Sequence, residues 1–161
     1  MNWENIYRRK VTDVSTALSH IKSGNRLYVG GGAGVPVKLT QALTQKAPEL
    51  RDVELTHILT FAEAPYVAPE YSDSFRVNAL FIGANVRKAV ADGRADFTPI
   101  FLSEIPGLFR SGILPIDVAL ISVSPPDEHG FCSFGVEVGT TKPAEQLLTR
   151  FLDKVEQSHL G

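Results

Sequence analysis

The chain has 161 residues, one cysteine and a formal net charge of −2 from 16 basic and 18 acidic residues. That length suits a single domain with an ordinary core, and the balanced charge without a basic run argues against a nucleic-acid partner. Cys132 has no partner for an internal disulfide, no apolar run reaches membrane-spanning length and the charged amino terminus lacks the apolar stretch of a secretory signal, so a soluble, cytoplasmic protein is expected.

In chain order, Thr12 or Asp13 can cap a helix carrying Val14, Ala17, Leu18 and Ile21, which Gly24 ends. Residues 26–30 read as a short strand, and the Gly-Gly-Gly-Ala-Gly run at 30–34 as a flexible turn. Pro36 then opens a helix with Val37, Leu39, Ala42 and Leu43 on its apolar side. Residues 53–60 have the composition of a strand, and 64–75, with Pro65, Tyr66, Pro69 and Tyr71, that of a long ordered loop. A third strand is expected at 79–82, followed by a short helix through Val86, Ala89 and Val90 that stops at Gly93. A fourth strand is expected at 97–101, with Pro99 marking it as edge-like, then a Ser103-capped helix over 104–109 and a fifth strand at 117–123. Strands and helices alternate throughout, which predicts a layered α/β fold with a mainly parallel sheet. Residues 142–159 carry Leu147, Leu148, Phe151, Leu152 and Val155 on one helical face, opposite a charged one. With no strand following it, this helix could also dock on another chain, making the protein an interaction subunit or a homo-oligomer.

Two segments could carry chemistry. The first is the glycine run between strand and helix, where Gly31, Gly32, Ala33, Gly34 and Pro36 could bring backbone amides and a helix terminus to an anion or an oxyanion. Its spacing lacks the third glycine of a dinucleotide fingerprint and the Gly-Lys-Ser/Thr of a P-loop. A merely tight turn is the plain alternative. The second segment, 124–135, begins where the fifth strand meets Pro125 and Pro126, which cannot continue it. There Asp127, Glu128, His129 and Gly130 gather at a strand's carboxyl end, the edge where open α/β sheets bind ligands. The acids and the histidine can be read as a metal site, an acid/base group or a loop anchor. Adjacent residues converge poorly on one ion, so no metal ligand is assigned. Asp127 turning the loop is the simplest reading. Cys132, between Phe131 and Phe134, reads as a small buried hydrophobe rather than a nucleophile. Glu63 and Arg87 could line the cleft or be solvated surface charges, and His57 reads as structural.

Several words occur in one order: Glu-Ala-Pro-Tyr at 63–66, Asn-Ala-Leu-Phe-Ile-Gly at 78–83, Asn-Val-Arg-Lys-Ala at 85–89, Gly-Arg-Ala-Asp at 93–96, Phe-Leu-Ser-Glu-Ile-Pro at 101–106 and the 124–135 loop. Together they resemble the amino-terminal domain of the acetyl-CoA hydrolase/transferase family, the coenzyme A transferases of the 4-hydroxybutyrate type. The resemblance runs over about residues 3–142. It implies two similar α/β domains with the active site between them, acyl-CoA and a small carboxylate as substrates, and no permanently bound cofactor. It also implies covalent catalysis by a glutamate of the carboxyl-terminal half. No residue of this chain matches that glutamate's motif, so no catalytic residue is assigned here. By the same resemblance Gly31, Gly32, Ala33, Gly34, Pro36, Glu63, Asn85, Arg87, Pro126, Asp127, Glu128, His129 and Gly130 are expected to line the CoA-ester site. Past residue 142 the chain departs from the family pattern. The expectation is therefore a 1–141 transferase-type domain lacking the family's last strands, a divergent 142–161 helix, and a missing half supplied by a partner chain. Alone, such a chain would be inactive, or a non-catalytic acyl-CoA-binding module.

Overall fold

The computed structural model describes residues 3–147. Five parallel strands form one sheet in the order β4-β3-β2-β1-β5: β1 Arg26–Val29, β2 Val53–His57, β3 Phe75–Ala79, β4 Asp96–Phe97 and β5 Val118–Leu120. The helices are α1 Trp3–Lys10, α2 Val14–Leu18, α3 Val37–Gln45, α4 Ala84–Ala91, α5 Ile105–Arg110 and α6 Thr141–Leu147. The expected α/β layering with a parallel sheet is the observed one.

Alternation along the strands splits the core in two. Leu27 and Val29 of β1 face a cluster with Leu18, Leu43, Val53, Leu55, Val77 and Val86. Tyr28, between them, faces the other way and packs with Leu80, Ile105, Phe109 and Ala144. Helices α2, α3 and α4 thus cover one face, and α5 and α6 the other. Each fully buried large apolar side chain contributes roughly 1.5–3 kcal/mol. Caps fix the helix starts: Asp13 accepts from the Thr16 amide at 2.9 Å and from its hydroxyl at 2.7 Å, setting the first turn of α2.

Several elements fall elsewhere than expected. The third strand is Phe75–Ala79 rather than 79–82. Phe75, Val77 and Ala79 are buried while Arg76 is exposed, a period-two pattern that the apolar run at 79–82 obscures. Strand β4 stops after Phe97, and the last bond, Thr98 N–H to the Ala79 carbonyl, precedes Pro99, which has no donor. Strands β2 and β5 are shorter than expected, and α5 starts after Glu104 with no side-chain cap from Ser103. Helix α1 lies in a segment for which no element was expected, and the 64–75 loop contains two single 3₁₀ turns. The tail helix expected over 142–159 begins as α6, and 148–159 lies outside the described residues.

The topology also locates a site. From β1 the chain steps outward through β2, β3 and β4, then returns to place β5 on the opposite side of β1. The segments that follow β1 and β2 leave the sheet side by side at its carboxyl edge, joined by a bridge between Gly32 and Thr60.

Candidate functional site

The 30–34 turn follows β1 at that carboxyl edge. The Gly30 amide donates to the Leu120 carbonyl at 2.8 Å, extending the β1–β5 pairing by one bond. The Gly32 amide bonds the Leu59 carbonyl, and the Phe61 amide returns to the Gly32 carbonyl at 3.1 Å, so the turn is stitched to the segment after β2. The Gly34 amide closes on the Gly31 carbonyl at 3.0 Å. The amides of Gly31 and Ala33 make no hydrogen bond among the described residues. Glycine is required here by contact: a Cβ on Gly31 would meet the Leu59 carbonyl oxygen at 2.9 Å, and one on Gly34 would meet the Glu137 Cβ at 2.8 Å. Gly32 also has φ +55.

A cleft of about 350 Å³ opens over the turn, lined by Gly31, Gly32, Ile58, Leu59, Leu102, Pro106, Glu137, Gly139 and Thr140. Its floor is held by Tyr28, whose hydroxyl lies 2.9 Å from the Thr140 hydroxyl and 3.1 Å from that of Thr141. Burial pushes the Tyr28 hydroxyl pKa up, and the charge of Glu137 adds to the shift.

The other candidates fall in different places. Ala33 is exposed at the tip of the turn and Pro36 is buried at the start of α3. Asn85 donates through Nδ2 to the Thr60 hydroxyl and the Ala62 carbonyl, both at 2.7 Å, and so fixes the chain after β2 against α4. Its Oδ1 is buried without a partner among the described residues. Glu63 and Arg87 are exposed.

Asp127 turns its own loop, its Oδ1 accepting from the amides of His129 and Phe131, both at 2.9 Å. Gly130, at φ +85, lies beneath the Trp3 ring, where a Cβ would come within 2.8 Å of Trp3 Cγ. Pro125 and Pro126 line a second cleft with Trp3, Glu4, Tyr7 and Arg8. Glu128 and His129 are exposed, 3.6 Å apart. The 124–135 loop thus lies against α1, and the residues lining the cleft over the glycine turn include none of it. Cys132, expected to be buried, is exposed, because the chain leaves the sheet after Leu120 and the loop that carries Cys132 forms no strand. Its thiol is pushed up by partial burial and by the Asp127 carboxylate.

Sequence reasoning assigned no site role to Glu137 or Thr140. Neither sits in a motif, and only the return of the 136–141 segment over the turn brings them to the cleft.

His57, at the end of β2, is 1% exposed with no partner for either ring nitrogen among the described residues, its ring edge-on to Tyr66. Burial lowers its pKa to about 4 and keeps it neutral. Among the described residues no group of three or more His, Cys, Asp or Glu side chains could hold a metal ion, and no helix is long and apolar enough to cross a membrane.

A five-stranded parallel sheet with helices on both faces and a cleft at its carboxyl edge defines a layered α/β domain. Over residues 1–150 the chain matches the acetyl-CoA hydrolase/transferase N-terminal domain, and it belongs to that family. It is 42% identical over 146 residues to the 4-hydroxybutyrate coenzyme A transferase of Clostridium kluyveri, covering 91% of this chain and 34% of that protein. It is 45% identical over 137 residues to the succinyl-CoA:acetate/propanoyl-CoA:succinate CoA transferase of Fasciola hepatica, covering 84% and 28%. Among solved structures, 4-hydroxybutyrate CoA-transferase from Porphyromonas gingivalis superposes with a TM-score of 0.72 at 31% identity, covering 91% of this chain and 33% of that one. RipA from Yersinia pestis gives 0.74 at 27% identity, covering 84% and 34%. The chain spans about a third of the length of these curated relatives.

Proposed function

We propose that this chain is the amino-terminal part of a cytoplasmic CoA transferase or acyl-CoA hydrolase. The enzyme moves CoA between an acyl-CoA and a small carboxylic acid of the acetate or 4-hydroxybutyrate class. The observation that carries the proposal is the cleft over the glycine turn, where the amide of Gly31, one of its lining residues, makes no hydrogen bond among the described residues and can meet a developing oxyanion.

A glutamate from polypeptide outside this chain attacks the thioester carbonyl, giving a mixed anhydride and releasing CoA thiolate. The thiolate then attacks the glutamyl carbonyl, which releases the first carboxylate and leaves glutamyl-CoA. An acceptor carboxylate takes up CoA by the same steps in reverse, whereas in a hydrolase water attacks the glutamyl-CoA carbonyl, releasing CoA and the free glutamate. In transfer the energy of the thioester bond passes to the product ester, so the reaction needs no ATP and no resident cofactor.

In this reading residues 1–141 hold the ester, and the segment from 142 packs on α5 through the buried Ala144. Isothermal titration of the chain with acetyl-CoA should show binding without turnover, and adding the carboxyl-terminal polypeptide should restore transfer to acetate. Absence of acetyl-CoA binding, together with no transfer in the completed protein, would refute the proposal. Since the chain spans about a third of its relatives, the second reading is a non-catalytic acyl-CoA-binding module; binding without transfer in the completed protein would select it.

A further inference from the structure

One side chain in the cleft has no assigned task. Glu137 lies across the glycine turn, its Oε2 3.3 Å from the position a Gly32 Cβ would take and 3.8 Å from that of Gly31. The rest of the described lining is Ile58, Leu59, Leu102, Pro106, Thr140 and glycine, so Glu137 is the one ionisable group among the described residues there. Its carboxylate makes no ion pair and no side-chain hydrogen bond with any described residue. The nearest hydroxyls are committed elsewhere, since Thr140 and Thr141 are both engaged by Tyr28.

An ionised carboxylate is acceptor-only. Set among apolar walls, it favours whatever brings it a donor and repels a second anion. The Gly31 amide, which also lines the cleft and makes no hydrogen bond among the described residues, has the opposite character and favours a carbonyl oxygen or oxyanion. The cleft therefore has an acceptor beside a donor, a polarity that fixes which way round a ligand sits.

We infer that Glu137 is a specificity-determining residue of this cleft, accepting a hydrogen bond from an O–H or N–H group of the bound CoA ester. The inference rests on the proposed function above. Two parts of such a ligand carry the donor: a hydroxyl on the acyl group, or an amide N–H of the pantetheine arm. In either case the thioester carbonyl faces the Gly31 amide and the donor faces Glu137.

The test titrates this chain, and its E137Q and E137L variants, with 4-hydroxybutyryl-CoA, butyryl-CoA and free CoA, with a thermal melt of each protein. If the acyl hydroxyl is the donor, the wild type prefers 4-hydroxybutyryl-CoA over butyryl-CoA by roughly tenfold, the weight of one hydrogen bond to a charged group. That preference disappears in E137L and survives in part in E137Q, which keeps an acceptor oxygen. If the pantetheine amide is the donor, E137L weakens all three ligands by the same roughly tenfold factor. Esters that bind the wild type and E137L alike, with the melts unchanged, overturn the inference and leave the proposed function standing. A wild type that binds no CoA ester overturns both. Should E137L melt early, E137Q decides, because it keeps the stem that packs on Gly34.

Discussion

The fit of Glu137 on Gly34 gives a sharp test of how the turn is built. Gly34 lacks a positive φ, so an alanine there suffers no backbone penalty, and any cost comes from contact. The added Cβ would lie 2.8 Å from the Glu137 Cβ, closer than side-chain carbons approach, and 3.4 Å from the Gly31 carbonyl oxygen, which is tolerable. Overpacking of this kind costs about 1–3 kcal/mol, and the lower chain entropy of alanine in the unfolded state returns about 0.4–1 kcal/mol. The net expectation is a loss of about 1–2 kcal/mol, or roughly 2–8 °C in melting temperature for a chain of this size.

Circular dichroism melts of Gly34→Ala measure the loss, and a double-mutant cycle assigns it. Glu137→Ala keeps the offending Cβ and should not relieve the clash. Glu137→Gly removes it and should recover about 1 kcal/mol or more of the coupling. Gly107→Ala, inside α5 with nothing within 4 Å of its new Cβ, is the control. It should gain about 0.5–1 kcal/mol from helix propensity. A Gly34→Ala variant that melts like the wild type, or one rescued equally by both Glu137 substitutions, would refute this account.

His57 should make stability pH-dependent in a defined window. Between its folded pKa of about 4 and its ordinary 6.5 the unfolded chain binds a proton that the folded chain refuses. Stability is therefore complete above that window and falls as pH drops through it, by roughly 3 kcal/mol at most. Urea unfolding at a series of pH values should show that slope, and His57→Leu should flatten it. The lowered carboxyls of Asp13, Asp92 and Asp96 lose their contributions only as pH falls through 3.8 and below, outside most of the window. Tyr28→Phe should cost about 1–2 kcal/mol in urea unfolding by stranding the Thr140 and Thr141 hydroxyls, and should speed amide exchange across 137–141. Asn85→Ala should cost about 1–3 kcal/mol by the same assay, and Asn85→Asp should fail to rescue because a carboxylate cannot donate to the Thr60 and Ala62 carbonyls.

The α/β class was legible because strand-like and helix-like segments alternate along the chain, and the glycine turn because five small residues separate a strand from a proline-started helix. What misled was local. Arg76 and Asn78 interrupt the apolar content of β3, so the unbroken run after it looked more strand-like than the strand itself. Helix α1, with three basic residues in its last turn and no buried residue, has too thin an apolar stripe to announce itself. Its role becomes visible only when Trp3 is seen over Gly130. Glu137 was hidden for a different reason. Its relation to Gly34 spans most of the chain, and no spacing rule connects the two.

The 124–135 loop spends several of its polar groups on its own fold. Asp127 has its Oδ1 occupied by two backbone amides, the Ser124 hydroxyl accepts from the Ser133 amide at 2.9 Å, and Gly130 is pressed against Trp3. These bonds use the polar groups to hold a shape, and they leave Glu128 and His129 exposed to solvent. At the cleft itself the described ionisable inventory is Glu137 alone. A single carboxylate beside the Gly31 amide can orient an ester and choose among esters. The covalent step of the proposed reaction is placed outside this chain for a separate reason: the glutamate that the family resemblance implies belongs to the carboxyl-terminal half, and no residue here matches its motif.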